Sequence, residues 1–405
     1  MTHRVLALRS RTSDRLRFQP CAGGAIVIAL VVSFVSGCGG TAASSGTTTT
    51  TTTPPIPAST VACPSPGSIA TWSVRRLAEQ TVVVPVDESD VASVTPEVAA
   101  GVGGVILLGA SAPSDLGVAL RSLVSSAPDG IAPFVMTDEE GGVIQRMANL
   151  VGSIPSARQM GATMTPAQIR RLATGLAQRM RAAGVTMDLA PVLDVDGGQG
   201  PDNQDPDGTR SFSAHEKIAS VDGLAFAAGL QAGGVVPVVK HFPGLGGATG
   251  NTDVTPASTP PWSTLKRVGL VPFENALDAK VPAVMISNAT IPGLTGLPAS
   301  VSSAVITGLL RDQLGYQGLV MTDSLSAVAL GAIGYSVEKA TVAALGAGAD
   351  MVLFDADPGA VASVTNGTVS AVVSAVGAGK LGRRRLVSAV TRILELKHVK
   401  VCSAG

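Results

Sequence analysis

The chain has 405 residues, with 29 Lys or Arg against 29 Asp or Glu, so its formal charge at pH 7 is zero; 45% of the residues are hydrophobic and only 3% aromatic. That balance excludes a basic nucleic-acid binder and a disordered acidic chain, and it leaves ample apolar material for a large core. Four cysteines, none in a CxxC pair, are too few for a disulfide scaffold and do not form a zinc pattern, so nothing in them announces a metal.

Five arginines between Arg4 and Arg17 precede the apolar run Ala22–Val35. The run is short for a membrane span and fits a signal peptide, residues 1–37. It ends in Val35-Ser36-Gly37-Cys38, which resembles the lipobox of bacterial lipoproteins. That resemblance implies cleavage before Cys38 and lipidation of its thiol, giving an exported protein anchored to the outer face of the cell membrane. An ordinary secretory peptide with an incidental Cys38 is the alternative. Cleavage removes five Arg and one Asp, leaving a mature charge of −4. Residues 38–62 are rich in small polar residues, with seven consecutive threonines followed by Pro54-Pro55, and predict a solvated tether. Cys63 opens the expected folded domain, 63–405, and Cys402 lies near its end; in an oxidising compartment they form either a disulfide or two free thiols.

From Ser65 onward short β-branched runs alternate with Gly- or Pro-containing loops and helical stretches. Eight runs stand out: Thr81–Val86, Val105–Gly109, Ala132–Thr137, Thr186–Leu193, Val235–Lys240, Ala283–Asn288, Leu319–Thr322 and Met351–Phe354. Between them, Pro166–Ala183 has helical spacing, with Thr165 as its cap, and Val301–Leu314 is a second amphipathic stretch. Continuous apolar strands separated by helices predict a parallel sheet covered on both faces. Eight units predict an α/β fold of the (β/α)8 TIM-barrel type in a single domain, with a doubly wound open sheet as the alternative.

In such a barrel the chemistry gathers at the C-terminal strand ends. Asp138, Asp194, Lys240-His241, Asn288, Asp323 and Asp355 all fall there. Taken singly, Asp194 and Asp355 read as helix caps. Thr137-Asp138-Glu139-Glu140-Gly141-Gly142-Val143-Ile144-Gln145-Arg146 resembles the DQEGGRVQR segment of glycoside hydrolase family 3, particularly its single-domain β-N-acetylglucosaminidases of bacterial cell-wall recycling. Ala190-Pro191-Val192-Leu193-Asp194-Val195, Gly208-Thr209-Arg210-Ser211-Phe212, Lys240-His241-Phe242-Pro243-Gly244 and Met321-Thr322-Asp323-Ser324-Leu325 resemble further motifs of that family, in order, over residues 75–395.

The resemblance implies a retaining glycosidase acting on β-linked N-acetylglucosamine in cell-wall fragments, with Asp323 as nucleophile and, since a hydrolase needs only water, no metal or organic cofactor. Asp323 could otherwise cap a helix over Leu325–Leu345, and Arg146 could be a surface ion-pair residue. Asp138, Arg146, Arg210, Lys240 and His241 are expected to hold sugar hydroxyls. The family's acid/base is an Asp-His dyad after KHFPG, and here that stretch departs from the pattern. Asn251 stands in the Asp position and Asp253 in the His position, and the four histidines, His3, His215, His241 and His398, provide no replacement. Three outcomes follow. Asp253 serves as acid/base oriented by Asn251, with Gly244, Gly246, Gly247 and Gly250 making its loop mobile; Glu139 or Asp205 serves instead; or the chain is a non-catalytic sugar-binding lipoprotein. A β-glucosidase of the same family is a further alternative, disfavoured because those relatives take a Glu acid from a second domain.

Overall fold

The computed structural model describes residues 68–400. The signal segment 1–37, the 38–62 tether with Cys38, and Cys63 and Cys402 lie outside them. Eight parallel strands close into a ring in chain order: β1 (Val82–Asp87), β2 (Gly104–Leu108), β3 (Phe134–Thr137), β4 (Met187–Asp188), β5 (Val236–Phe242), β6 (Ala283–Ile286), β7 (Leu319–Ser324) and β8 (Met351–Leu353). The last strand pairs with the first through Val82 with Val352 and Val83 with Leu353. The expected (β/α)8 barrel is therefore present, and the open sheet is excluded.

Strand alternation divides the apolar residues into two sets. Val83, Ile106, Met136, Met187, Val238, Met285, Met321 and Met351 fill the barrel interior, while Val82, Val84, Val105, Val135, Val239, Val284, Val320 and Val352 pack outward against the helices. β-branched side chains suit the regular outer surface. Unbranched methionines adapt to the irregular space inside. Ile393, from the C-terminal helix Arg383–Leu396, joins the interior set. The apolar helix Val361–Gly377 packs Val361, Val369 and Val372 in the shell around the barrel.

The helix from Pro166 runs to Ala182 and starts as expected. Thr165 accepts from the Gln168 N–H while Gln168 reaches back to the Thr165 N–H, satisfying two otherwise orphaned donors. Ile169, Ala173, Leu176, Ala177 and Met180 form its buried stripe. Three elements differ from expectation. The fourth strand covers Met187–Asp188 rather than 186–193, because Pro191 has no N–H to donate to a ladder; the chain continues beside β5 through Lys240 N–H to Pro191 C=O and Leu193 N–H to Lys240 C=O. The stretch after Val301 is a wide-turn helix, Ala304–Gln313, closed by the Leu314 N–H on the Leu309 C=O. The single helix expected over 325–345 is two, Val328–Gly331 and Val337–Ala347.

Below β8, Asp350 is fully buried and accepts from Arg311 and Arg385, each at 2.7 Å, and from Arg392 at 3.3 Å. It also accepts the Val320 N–H at 3.0 Å, tying β7 to three cations carried by two helices, Ala304–Gln313 and Arg383–Leu396. Asp350→Ala would strand these guanidinium groups, and the expected loss is about 3–5 kcal/mol in urea unfolding. A loss below about 1 kcal/mol would show that water replaces the carboxylate.

Candidate active site

A cavity of about 650 Å³ opens among the C-terminal strand ends. Asp138, Arg146, Arg210, Lys240, His241, Asn251, Asp253 and Asp323 all line it, so every site residue expected within the barrel reaches one space. Glu140 and Asp355 line it as well.

The floor is an alternating charge network. Lys240 Nζ lies 2.6 Å from Asp138 Oδ1 and 2.7 Å from Glu140 Oε1, and Arg210 pairs with Glu140 through two contacts of 2.8 and 2.9 Å. Burial alone pushes the Glu140 carboxyl up, but Arg210 and Lys240 outweigh it and hold Glu140 well below the usual carboxylate range. The geometry makes Glu140 the hub on which both cations are aimed. Sequence reading missed it, although three consecutive acids were the available signal.

Because Glu140 titrates lower folded than unfolded, its stabilisation is present above the unfolded value of about 4.3 and fades as pH falls below it. Glu140→Gln is therefore expected to cost roughly 3–5 kcal/mol at pH 7, with the gap to wild type narrowing below about pH 4. Melting curves at several pH values check this; a gap independent of pH would contradict it.

Arg146 forms no ion pair among the described residues, and its buried Nε lacks a hydrogen-bond partner. It therefore lines the cavity as a cation without an ion pair among the described residues, not as half of a surface pair. Asp194 caps no helix. It is fully buried and accepts His241 Nδ1 at 2.7 Å, the His241 N–H at 3.0 Å and the Leu245 N–H at 2.6 Å. Burial drives the His241 imidazole down to about 4, with Arg210 and Lys240 acting the same way, so the ring is neutral. Asp194, Asp207 and His241 bring three ligand-type atoms within 4.8 Å of one another, but Asp194 is already engaged by N–H donors. Asn288 buttresses the site from behind, accepting from Ser300 at 2.5 Å and donating to the Ser324 C=O at 2.7 Å.

Asp323 lies at the end of β7, half-buried, and accepts the Ser324 N–H at 2.7 Å. It caps nothing: the next helix begins at Val328 with Ala327 as its flanking residue. Burial pushes its carboxyl up, the Asp253 charge adds to this, and His241, the Ser324 N–H and Lys240 oppose. Asp253 stands on the loop after β5, open to solvent at the rim yet ringed by the cleft walls. Desolvation raises its carboxyl, Asp355 and Asp138 push the same way, and Arg210 and Lys240 pull against them.

That loop departs from two expectations. Asn251 accepts the Asp253 backbone N–H at 2.9 Å, an Asx turn, so it orients the main chain rather than the carboxyl. The loop is also docked: Ala329 N–H donates to the Thr252 C=O, Val328 N–H to the Asp253 C=O, and Asn251 N–H to the Asn203 C=O. Two of its glycines answer to crowding. A Cβ on Gly246 would lie 2.2 Å from the Val195 C=O oxygen, and one on Gly244, whose φ is +127°, would lie 2.9 Å from the Gly269 C=O oxygen. The other acid candidates are occupied elsewhere. Glu139 is buried and accepts from the Met147 N–H and Gln145, while Asp205 binds the Gly200 and Gly208 N–H groups; neither lines the cavity. His215 is an exposed residue at the start of the helix Glu216–Ala232.

Residues 81–396 match the family described as Glycosyl hydrolase family 3 N terminal domain. The β-hexosaminidase LpqI of Mycobacterium tuberculosis is 35% identical over 84% of this chain and 89% of its own length. A protein from Arthroderma benhamiae named as an uncharacterized secreted glycosyl hydrolase is 32% identical over 73% of this chain and 84% of its own length. The crystal structure of a β-N-acetylhexosaminidase from Beutenbergia cavernae superposes with a TM-score of 0.73 at 31% identity, covering 82% of this chain and all of that one. The chain belongs to glycosyl hydrolase family 3.

Proposed function

We propose that the chain is a retaining β-N-acetylhexosaminidase that removes β-linked N-acetylglucosamine from cell-wall-derived fragments. The observation that carries this reading is the pairing of Asp323 and Asp253 on one cavity, where the charge of the second raises the proton affinity of the first. Two such carboxyls titrate as a pair, and one proton between them suits a nucleophile facing a proton donor.

In the first step the Asp323 carboxylate bonds to the anomeric carbon as the glycosidic C–O bond breaks, and Asp253 gives its proton to the departing oxygen. In the second, Asp253, now a carboxylate, takes a proton from water while the water oxygen displaces Asp323. Asp138, Arg146, Arg210, Lys240 and His241 hold the sugar during both steps. Asn251 sets the main-chain direction of Asp253. The N-acetyl preference is supported by the relatives named as hexosaminidases. Export is supported by the N-terminal pattern and by the relative named as secreted; lipidation at Cys38 rests on the sequence pattern alone. It is checked by mass spectrometry of the mature N-terminus.

The purified protein is expected to release nitrophenol from 4-nitrophenyl N-acetyl-β-glucosaminide far faster than from the β-glucoside. Proton NMR should show the freed sugar first as its β-anomer. Preference for the glucoside, or the α-anomer first, would overturn the assignment. Sugar binding without turnover would identify a binder instead.

A further inference from the structure

Asp207 is 1% exposed, and neither of its carboxyl oxygens has a hydrogen-bond partner among the described residues. The nearest side-chain nitrogens stand off: Arg210 Nη1 and the neutral His241 ring's Nδ1 are each 4.0 Å from Asp207 Oδ1. Arg210 is in any case matched by Glu140 in a two-point pair. An ionised carboxylate in that position would be buried without a donor, which costs several kcal/mol. What does face Asp207 is another carboxyl, Asp194, with an oxygen within 4.8 Å and with its proton affinity responding to Asp207 as to a hydrogen-bond donor. Two carboxyls form a hydrogen bond only if one carries a proton.

The surroundings decide which. Burial lifts the Asp194 carboxyl to about 7, but three N–H groups donate to it and favour its anion, whereas Asp207 accepts from none, so the shared proton belongs on Asp207. The groups facing Asp207 are Asp194 and Asp196 on the segment after β4, His241 on β5, and Arg210 three positions further along the chain; burial first, then Asp194 and Asp196, push its carboxyl far up, while His241 and Arg210 oppose.

We propose that Asp207 is a positioning residue that keeps its proton and donates it to Asp194, so that an acid–carboxylate–imidazole chain fixes His241 with Nδ1 protonated and Nε2 as an acceptor for a sugar hydroxyl. The O–H to carboxylate bond is of the strong, charge-assisted kind. It leaves Asp194 able to hold both the His241 ring and the turn at Leu245, from which the Asp253 loop departs. The sugar contact rests on the glycosidase reading; the proton arrangement does not.

Two measurements test it. Nitrogen-15 NMR of the imidazoles should show the His241 Nδ1 protonated and Nε2 unprotonated in the wild type from pH 5 to 8, whatever the substrate. For the N-acetylglucosaminide, Asp207→Leu, which removes the donor, is expected to raise KM about tenfold or more. Asp207→Asn, whose amide can still donate to Asp194, should recover most of that loss and keep the NMR pattern. The idea fails if the Asn variant is as impaired as the Leu variant, if Nδ1 is unprotonated, or if the purified protein holds a stoichiometric metal whose chelation changes the His241 signal. Should Asp207→Leu not fold, the NMR of the wild type and the Asn variant still decides.

Discussion

Asp323→Ala is expected to lose turnover by on the order of 10⁴-fold while still binding N-acetylglucosamine, because nucleophile and sugar cradle are separate groups. The cradle is held by the Asp138–Lys240–Glu140–Arg210 network, to which Asp323 contributes no ion pair. What the variant lacks is the carboxylate that closes the covalent bond, and no other acid lining the cavity shares its place. Asp253 and Asp355 lie on other loops, and Asp138 is committed to Lys240. The loss should therefore appear almost entirely in kcat, with KM or sugar affinity changing little. A 5-fluoro N-acetylglucosaminyl fluoride gives the direct check. It should label the wild type on the peptide containing Asp323 and leave the variant unlabelled. Label on a different peptide, or residual turnover within tenfold of wild type, would remove Asp323 from the role.

The strand ends were legible because each apolar run and the polar residue after it are local features. Asp138, Lys240, His241 and Asp323 could thus be placed at one barrel mouth before any contact was known. Which charge meets which was not legible. Lys240 meets Asp138 across 102 positions and His241 meets Asp194 across 47, and those pairings exist only once the ring of strands has closed. Asp194 looked like a cap for the same reason: a strand followed by Asp predicts a helix start unless the partner is known to come from the next strand. Glu140 and Asp207 stayed invisible because sequence shows residue type but not burial, and their roles depend on being sealed. The glycine-rich loop misled in the opposite direction. Glycine permits mobility, but at Gly244 and Gly246 the backbones of residues 269 and 195 approach too closely for a Cβ. The resulting loop is packed and hydrogen-bonded to the segment after β7.

That packing sharpens the second large effect, on Asp253→Ala. General acid assistance matters most when the departing group is a poor one, so hydrolysis of an alkyl N-acetylglucosaminide should fall about 10²–10⁴-fold. The first step with a dinitrophenyl leaving group should fall by about tenfold or less, because that group departs without a proton. The second step still needs a base, so the activated substrate should give a burst followed by slow turnover, and azide should accelerate that turnover by attacking the glycosyl-Asp323 bond itself. The pH profile should change too. Asp253 is raised chiefly by desolvation, with the Asp355 and Asp138 charges helping, so in the wild type it keeps its proton above the ordinary carboxylate range, and activity declines on the alkaline side as that proton is lost. The variant should lose that alkaline limb while keeping the acid limb set by Asp323. Asn251→Ala separates the acid from the loop that carries it: it removes the acceptor for the Asp253 N–H but leaves Thr252 and Asp253 anchored to residues 328 and 329, so its loss should be smaller and only partly leaving-group dependent. If Asp253→Ala instead slows good and poor leaving groups equally and azide changes nothing, the residue shapes the rim of the cavity and the proton comes from elsewhere.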